Sequence, residues 1–417
     1  MTSGTATTPS HPEDRTIILP IGQDEYKKIV TVFAKFRAWL DKHYRLNPEL
    51  FPDTFVHGYK LHDEKTSKKT GVITRRVKLR NGEVWTIHPG FVMPHMTGYT
   101  EEIAKALYLR KFGVPYEALT YVFGKNNNYW YRIEIQFGRK NIVATTVKTV
   151  EIPVDLLADE HHEKNNGEKM YIATTVAEGV VLGAEVSPTA SKDDLQKAYG
   201  VFKEEALTID AQYAPSTVNT DGWSGTIGAW TALFVGVTLI RCFLHAWLSI
   251  RDRSKNLKEM FFEIGERVWE VYSSETRRMM SQRLRRLRDW ANLYLSGVVL
   301  EKVLDLCNKK EEWSLWYDYP DGHPTSNMLD RLMRSQNKYF ERGQHCHGTP
   351  ESANLRSRSW AILHNYWDWG RRTRAENAGC RCPAERLNGK RYADNWLENL
   401  LAATSAVPKR TPPPKTA

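Results

Sequence analysis

Between Glu151 and Phe243 short β-rich runs and two amphipathic segments follow one another in a single order, and that order constrains the fold more than any other feature of the chain. "VDLLADEHHEK" and "KMYIATTVA" read as two strands around the turn "NNGE", and "GVVLGAEVS" as a third. A helix over Lys192 to Leu207 follows, with Leu195, Ala198, Tyr199 and Phe202 on one side. Then "TVNTDG" is a fourth strand, "GTIGAWTALF" a helix and "VTLIRCF" a fifth strand. Three strands, a helix, a strand, a helix and a strand predict a mixed five-stranded α/β sheet with flanking helices. The uncharged run Gly222 to Ile240 is long enough to raise the question of a membrane helix. Its scattered Gly, Ser, Thr and Trp, and its division into a helix and a strand, argue against one.

With 417 residues the chain is long enough for two or three domains. Its 59 Lys+Arg against 49 Asp+Glu give a net charge of +10, a balance that favours a polyanionic partner, with nucleic acid first. "MTSGTATTPSHPEDR" has no basic segment followed by an apolar run, so no secretory signal is expected. Five cysteines at irregular spacings do not make a disulfide framework, which points to a reducing cytoplasm.

Residues 1–22 and the tail "VPKRTPPPKTA" are polar and Thr- and Pro-rich, and are expected to be disordered. Residues 23–150 read as a mainly helical region. Ile29, Val32, Phe33, Phe36 and Leu40 fit one face of a helix over Asp24 to His43. "GVITRRVKLRNGEVWTI" is a hairpin about Asn81-Gly82, with Arg75, Arg76, Lys78 and Arg80 on one strand, either a solvated edge or a strand lying along phosphates. Short helices with glycine stops over 99–140 suggest a helix-turn-helix. Its last helix, from Tyr129, would turn Arg132, Gln136, Arg139 and Lys140 to DNA. A generic three-helix core fits the same pattern.

Beyond Leu248 the chain is helical and basic. "TRRMMSQRLRRLRDW" sets Arg277, Arg278, Arg283, Arg285, Arg286 and Arg288 on one helix, either a solvated face or a phosphate track in which Arg278 and Arg285 contact DNA. The divisions expected are a first core segment over 151–251, an all-α insertion over 252–324, the last core helices over 325–376 and a C-terminal extension over 377–417.

The strand order is that of a ribonuclease H-like fold, in which the first and fourth strands are neighbours. Asp159 and Asp221 would then meet, and two carboxylates that close repel unless a cation sits between them. At this point the sequence resembles the DDE transposases of bacterial insertion sequences, in the branch related to Mutator-type elements. The resemblance rests on Asp159 in the first strand, "NTDGW" with Asp221, Cys242-x-x-His245 in "RCFLHAW", and "TSNMLDR", which is similar to the family's Thr-x-Asn-x-x-Glu helix start. It covers about residues 151–365. It implies a catalytic and metal-binding set of Asp159, Asp221 and Asp330 holding two Mg²⁺ ions, with Mn²⁺ as a substitute, and places Cys242 and His245 near the site. Where the family has glutamate this chain has Asp330, one methylene shorter, so Glu341, Glu351 and Glu376 stand as alternatives for the third acid.

By spacing alone, Cys242 and His245 read as a buried thiol and a core histidine. His345, Cys346 and His347 with Cys380 and Cys382 lack the spacing of a structural zinc site. Trp360, Tyr366, Trp367 and Trp369 read as core, although aromatics beside a cut strand can stack on a base. No nucleotide-binding fingerprint is present, so no nucleotide cofactor is expected. The leading expectation is a transposase that cuts double-stranded DNA at element ends and joins it to target DNA, acting as a homo-oligomer on DNA in the cytoplasm, with no membrane partner. A catalytically inactive DNA-binding descendant and a cellular nuclease of the same fold are the competing readings.

Overall fold

The structure, a computed structural model, describes residues 15–343 and 345–407. The disorder expected of the extreme N-terminus and of the tail falls on 1–14 and 408–417, outside the described residues. Within the described residues the expectation of a disordered segment up to 22 needs correction, because Thr16–Leu19 forms strand β1. Its β-branched Ile17 and Ile18 are buried, which is what a short apolar run between polar neighbours achieves by pairing. Helices α1 (Gln23–Val30) and α2 (Phe33–Leu46) replace the single helix expected over this stretch. The chain breaks at extended Val32, and Val32 and Phe33 lie exposed, while Tyr26 and Val30 are buried in one helix and Phe36 and Leu40 in the other.

Strands β2 (Tyr59–Thr66), β3 (Ile73–Leu79) and β4 (Val84–Pro89) complete a four-stranded sheet in the order β1-β4-β3-β2, larger than the single hairpin expected within this otherwise mainly helical region. The hairpin turns at Gly82, whose φ of 90° is the left-handed backbone that glycine adopts without strain. Arg75 does not face solvent. It is buried, donates to the Val30 carbonyl left free at the end of α1, and stacks over Phe33. Arg76 pairs with Asp63 on the neighbouring strand, leaving Lys78 and Arg80 exposed.

Helices α3 (Thr100–Arg110), α4 (Tyr116–Phe123) and α5 (Asn127–Ile135) follow, with the Asn126 side chain capping α5 through the Tyr129 N–H. The helix ends at Ile135. Gln136–Arg139 is a 3-10 turn, and a short α6 (Ile142–Thr146) leads into the second sheet. That sheet comprises β5 (Asp155–Asn165), β6 (Glu168–Ala177), β7 (Val180–Ser187), β8 (Thr217–Thr220) and β9 (Thr238–Arg241) in the order β7-β6-β5-β8-β9. The first three strands are antiparallel, and β5, β8 and β9 run parallel. The crossovers are α7 (Lys192–Leu207) and α8 (Ser224–Leu233), whose Tyr199, Phe202 and Trp230 cover one face of the sheet with Leu156, Ala158 and Val218. The mixed five-stranded α/β sheet expected from the sequence is present.

An all-helical unit follows: α9 (Phe243–Ser254), α10 (Glu259–Tyr272), α11 (Arg277–Tyr294), α12 (Gly297–Asn308) and α13 (Lys310–Ser314). It has its own core, built on Phe243, Ile264, Leu284, Val303 and Trp313. The chain returns beside its point of departure, where the Phe243 N–H donates to the Pro324 carbonyl at 3.1 Å. The return delivers α14 (Asn327–Arg342) and α15 (Pro350–Tyr366) to the other face of the sheet, followed by α16 (Arg371–Glu376), α17 (Pro383–Asn388) and α18 (Trp396–Ala403).

One apolar core joins Leu107, Trp130 and Ile133 of the region before the sheet to Leu157 and Val181 of the sheet, Leu329 and Trp360 beyond the insertion, and Leu397 near the C-terminus. Residues 377–407 are therefore an integral part of the fold. The Ile18 N–H donates to Ser405 Oγ at 2.8 Å, which ties the C-terminal segment to β1. Among the described residues no helix is long and apolar enough to cross a membrane, and the uncharged run after Asp221 divides into α8 and β9.

Candidate active site

The parallel register of β5 on β8 pairs Asp155 with Thr217, Leu156 with Val218 and Leu157 with Asn219. Continued by two residues, it brings Asp159 level with Asp221 at the carboxyl end of β8. Strand alternation decides which way each acid points. Leu156 and Ala158 pack under α7 and α8, whereas Leu157 packs on the α14 side, so Asp159 faces α14. Its neighbour Glu160 faces the other way and accepts from Tyr199 Oη at 2.7 Å and Thr226 Oγ1 at 2.8 Å.

Asp221 sits in a turn that fixes its carboxylate, with Oδ1 accepting from the Trp223 N–H at 2.7 Å. Gly222 has a φ of 90°, and a Cβ there would collide with the Arg241 guanidinium. Asp330 lies in the first turn of α14, where Oδ2 accepts from Ser326 Oγ at 3.2 Å. Ser326 is in turn held by Cys242, whose Sγ donates to Ser326 Oγ and accepts from the Ser326 N–H, both at 3.2 Å. The buried Cys242 thus links the end of β9 to the carboxylate on α14.

Among the described residues, one group of three His, Cys, Asp or Glu side chains has ligand atoms all within 4.8 Å of one another: Asp159, His245 and Asp330. Burial, reinforced by the charges of Asp221 and Glu160, pushes the Asp159 carboxyl up to about 7, against the smaller opposing effect of His245. Burial alone would depress His245, but Cys242 and the carboxylates of Asp159 and Asp330 outweigh it and raise the imidazole to about 9. Burial would raise the Cys242 thiol; His245 and Ser326 outweigh burial and hold it below the ordinary range. Crowded carboxylates in a desolvated place, beside a buried His245 Nδ1 without a hydrogen-bond partner, form a set that a divalent cation would stabilise. Carboxylate oxygens suit Mg²⁺ or Mn²⁺, so the residues fit such an ion.

Asp159, Asp330 and His245 are thus brought together. Asp221 stands beside Asp159, its charge reaching it, though outside the group of three. Glu341, Glu351 and Glu376 are exposed and absent from the group. The other His and Cys cluster makes no such group among the described residues: His345 Nδ1 is 2.6 Å from Glu163, and Cys346 is bridged to Asn165. Trp360, Tyr366 and Trp367 are buried core.

Arg132, Gln136, Arg139 and Lys140 do not form the face of one helix, because α5 ends before Gln136. They line a cleft of about 430 Å³ with Ile18, Phe137 and Leu401. On α11, Arg277 pairs with Asp318, Arg283 with Glu270, and Arg288 donates to the Cys307 carbonyl, whereas Arg278 and Arg285 are exposed.

Sequence reasoning assigned no role to Ser326, Trp223, Arg241, Lys302 or Lys309. The last four line a cleft of about 480 Å³ together with Asp221 and His245. Ser326 and Trp223 stand inside the motifs "TSNMLDR" and "NTDGW", so adjacency to an acid was the available signal. Lys302 and Lys309 carried none, since their place depends on how α12 packs against α9 and α11. The sequence matches no known family model and no curated protein.

Proposed function

We propose that this chain is a DNA-cutting and DNA-joining enzyme of the transposase type, with a ribonuclease H-like catalytic domain that hydrolyses a phosphodiester at element ends and transfers the freed 3′-hydroxyl to target DNA. The observation that carries the reading is the meeting of Asp159 and Asp330 from distant segments around His245, with Asp221 alongside; Asp221 and His245 also line a cleft that holds Arg241, Lys302 and Lys309. The strand order β7-β6-β5-β8-β9 supports the ribonuclease H-like assignment.

Asp159, Asp221 and Asp330 would hold Mg²⁺ or Mn²⁺, which when bound activates the attacking oxygen and stabilises the leaving one. The chain's own groups do the rest. Cys242 and Ser326 aim the Asp330 carboxylate, His245 balances the acids, and Arg241, Lys302 and Lys309 attract the phosphate backbone. Exposed Arg278 and Arg285 extend that cationic track over the insertion, and Arg132, Gln136, Arg139 and Lys140 form a further DNA contact. The enzyme works as a homo-oligomer on DNA in the cytoplasm.

The test is cleavage of duplexes carrying the DNA that flanks the gene, with Mg²⁺ or Mn²⁺. Wild type is expected to leave 3′-hydroxyl ends at a defined boundary. Asp159→Asn should lower the rate by at least about a thousandfold, as for loss of a group central to transition-state stabilisation. Tight DNA binding without cleavage would favour the inactive DNA-binding protein, a reading that the short Asp330 keeps open. Cleavage without regard to sequence would favour a nuclease.

A further inference from the structure

The cleft between the end of β8 and the insertion has a built aromatic wall. Trp223 is 53% exposed although it adjoins Asp221. Its indole is not loose: Nε1–H donates to the Ala190 carbonyl at 3.1 Å, and its backbone N–H is held by Asp221 at 2.7 Å. Gly225 makes this seating possible, since a Cβ there would lie 2.5 Å from the Ala190 oxygen and 2.9 Å from Nε1. An indole fixed by its edge with much of its surface open is a stacking platform whose ordering cost has already been met by the fold.

The same cleft carries three basic side chains and one further acid, Asp305. Lys302 and Lys309 on and just after α12 line it with Arg241. Lys309 is paired with Asp305 at 2.6 Å, and Arg241 is held by Glu312 at 2.8 Å and by the Gly222 carbonyl at 3.2 Å. These positions fix positive charge near the carboxylates. A volume of about 480 Å³ is in the range that takes a single small aromatic ligand.

We infer that Trp223, with Lys302 and Lys309 in the same cleft, seats one unpaired nucleotide of the strand being processed: the base stacks on the indole and the lysines hold its phosphate. The inference rests on the DNA-processing reading above and adds that the strand is locally unpaired next to the acids. It also gives the stacking role to Trp223, leaving Trp360 and Trp367 to the core, while Trp369 is half-buried with Arg386 over its ring.

The test uses the full chain in metal-free buffer, where nothing is cut, and a single-stranded oligonucleotide carrying one 2-aminopurine. Binding to wild type should quench the probe, and Trp223→Ala should weaken binding about tenfold or more and remove the quenching. Trp223→Phe should keep most of both, and Lys302→Glu with Lys309→Glu should weaken binding and flatten its salt dependence. An unchanged melting temperature for Trp223→Ala would show that the fold is intact. Unchanged affinity and quenching in Trp223→Ala overturns the inference, as does equal competition by a fully paired duplex. Because no cleavage is read, an enzyme that cuts DNA with unaltered Trp223→Ala binding sinks only this inference, whereas quenching that depends on Trp223 in a chain that never cuts DNA sinks only the catalytic reading.

Discussion

At the scale of single residues, Asp330 reaches its neighbours through a relay. Its shorter side chain is met by Ser326 one turn earlier, and Ser326 is fixed by Cys242. Ser326→Ala should remove about 1 kcal/mol of stability, the usual net value of one hydrogen bond, yet raise the Mn²⁺ concentration for half-maximal cleavage about tenfold or more. Cys242→Ser should be milder than Cys242→Val, which can neither donate nor accept; equal effects on metal dependence would leave Cys242 as packing alone. A different residue contributes to acid sensitivity, as does His88, which burial likewise lowers to about 4. His364 packs on Trp360 at 5.1 Å between ring centroids, and burial, aided by the Lys111 charge, lowers it from 6.5 to about 4. The unfolded chain therefore takes up a proton near 6.5 that the folded chain refuses until about 4, so stability falls as pH drops through that window. His364→Leu should flatten the stability profile there by up to about 1.4 kcal/mol per pH unit, read from denaturant melts. An unaltered slope would show that this histidine ionises freely in the fold. The acids themselves were legible in the sequence because each stands in a local pattern. Arg75 was misread because its partner, the Val30 carbonyl, exists only once α1 ends.

At the scale of elements, β5 to β9 were legible because β-branched runs, turn residues and amphipathic helices alternate over a short stretch with local punctuation. The first sheet was only half legible. β1 pairs with β4, far along the chain, and β2 is polar and largely exposed, so neither carries a strong signal by itself. The end of α5 was missed for a tertiary reason. Gly138, in the turn that follows, packs so closely on α15 that a Cβ would collide with the Leu355 carbonyl, and its N–H donates to Ser359 Oγ at 2.8 Å. A continuing helix would not fit there. Gly138→Ala should destabilise the protein by about 1–3 kcal/mol, as overpacking does, and should do so in the one main melting transition, since the turn belongs to the shared core. A loss below about 0.5 kcal/mol would show that α15 can move away from the turn.

At the scale of the whole molecule, one core takes in side chains from before the second sheet, beyond the insertion and near the C-terminus, with Trp130, Trp360 and Leu397 packed together. The helical insertion has a core of its own, and so does the first sheet, where Ile17, Phe36, Leu40, Val77 and Trp85 pack together. The insertion's return beside Phe243 is what lets α14 bring Asp330 to Asp159, and no local pattern in the sequence could state that closure. The central claim is that this convergence makes a divalent-metal site. The most direct measurement is anomalous diffraction from crystals of the protein soaked in Mn²⁺. The account predicts a Mn²⁺ peak at about 2.2 Å from carboxylate oxygens of both Asp159 and Asp330, lost in Asp159→Asn. A peak elsewhere, or no peak between these two carboxylates at saturating Mn²⁺, would contradict it.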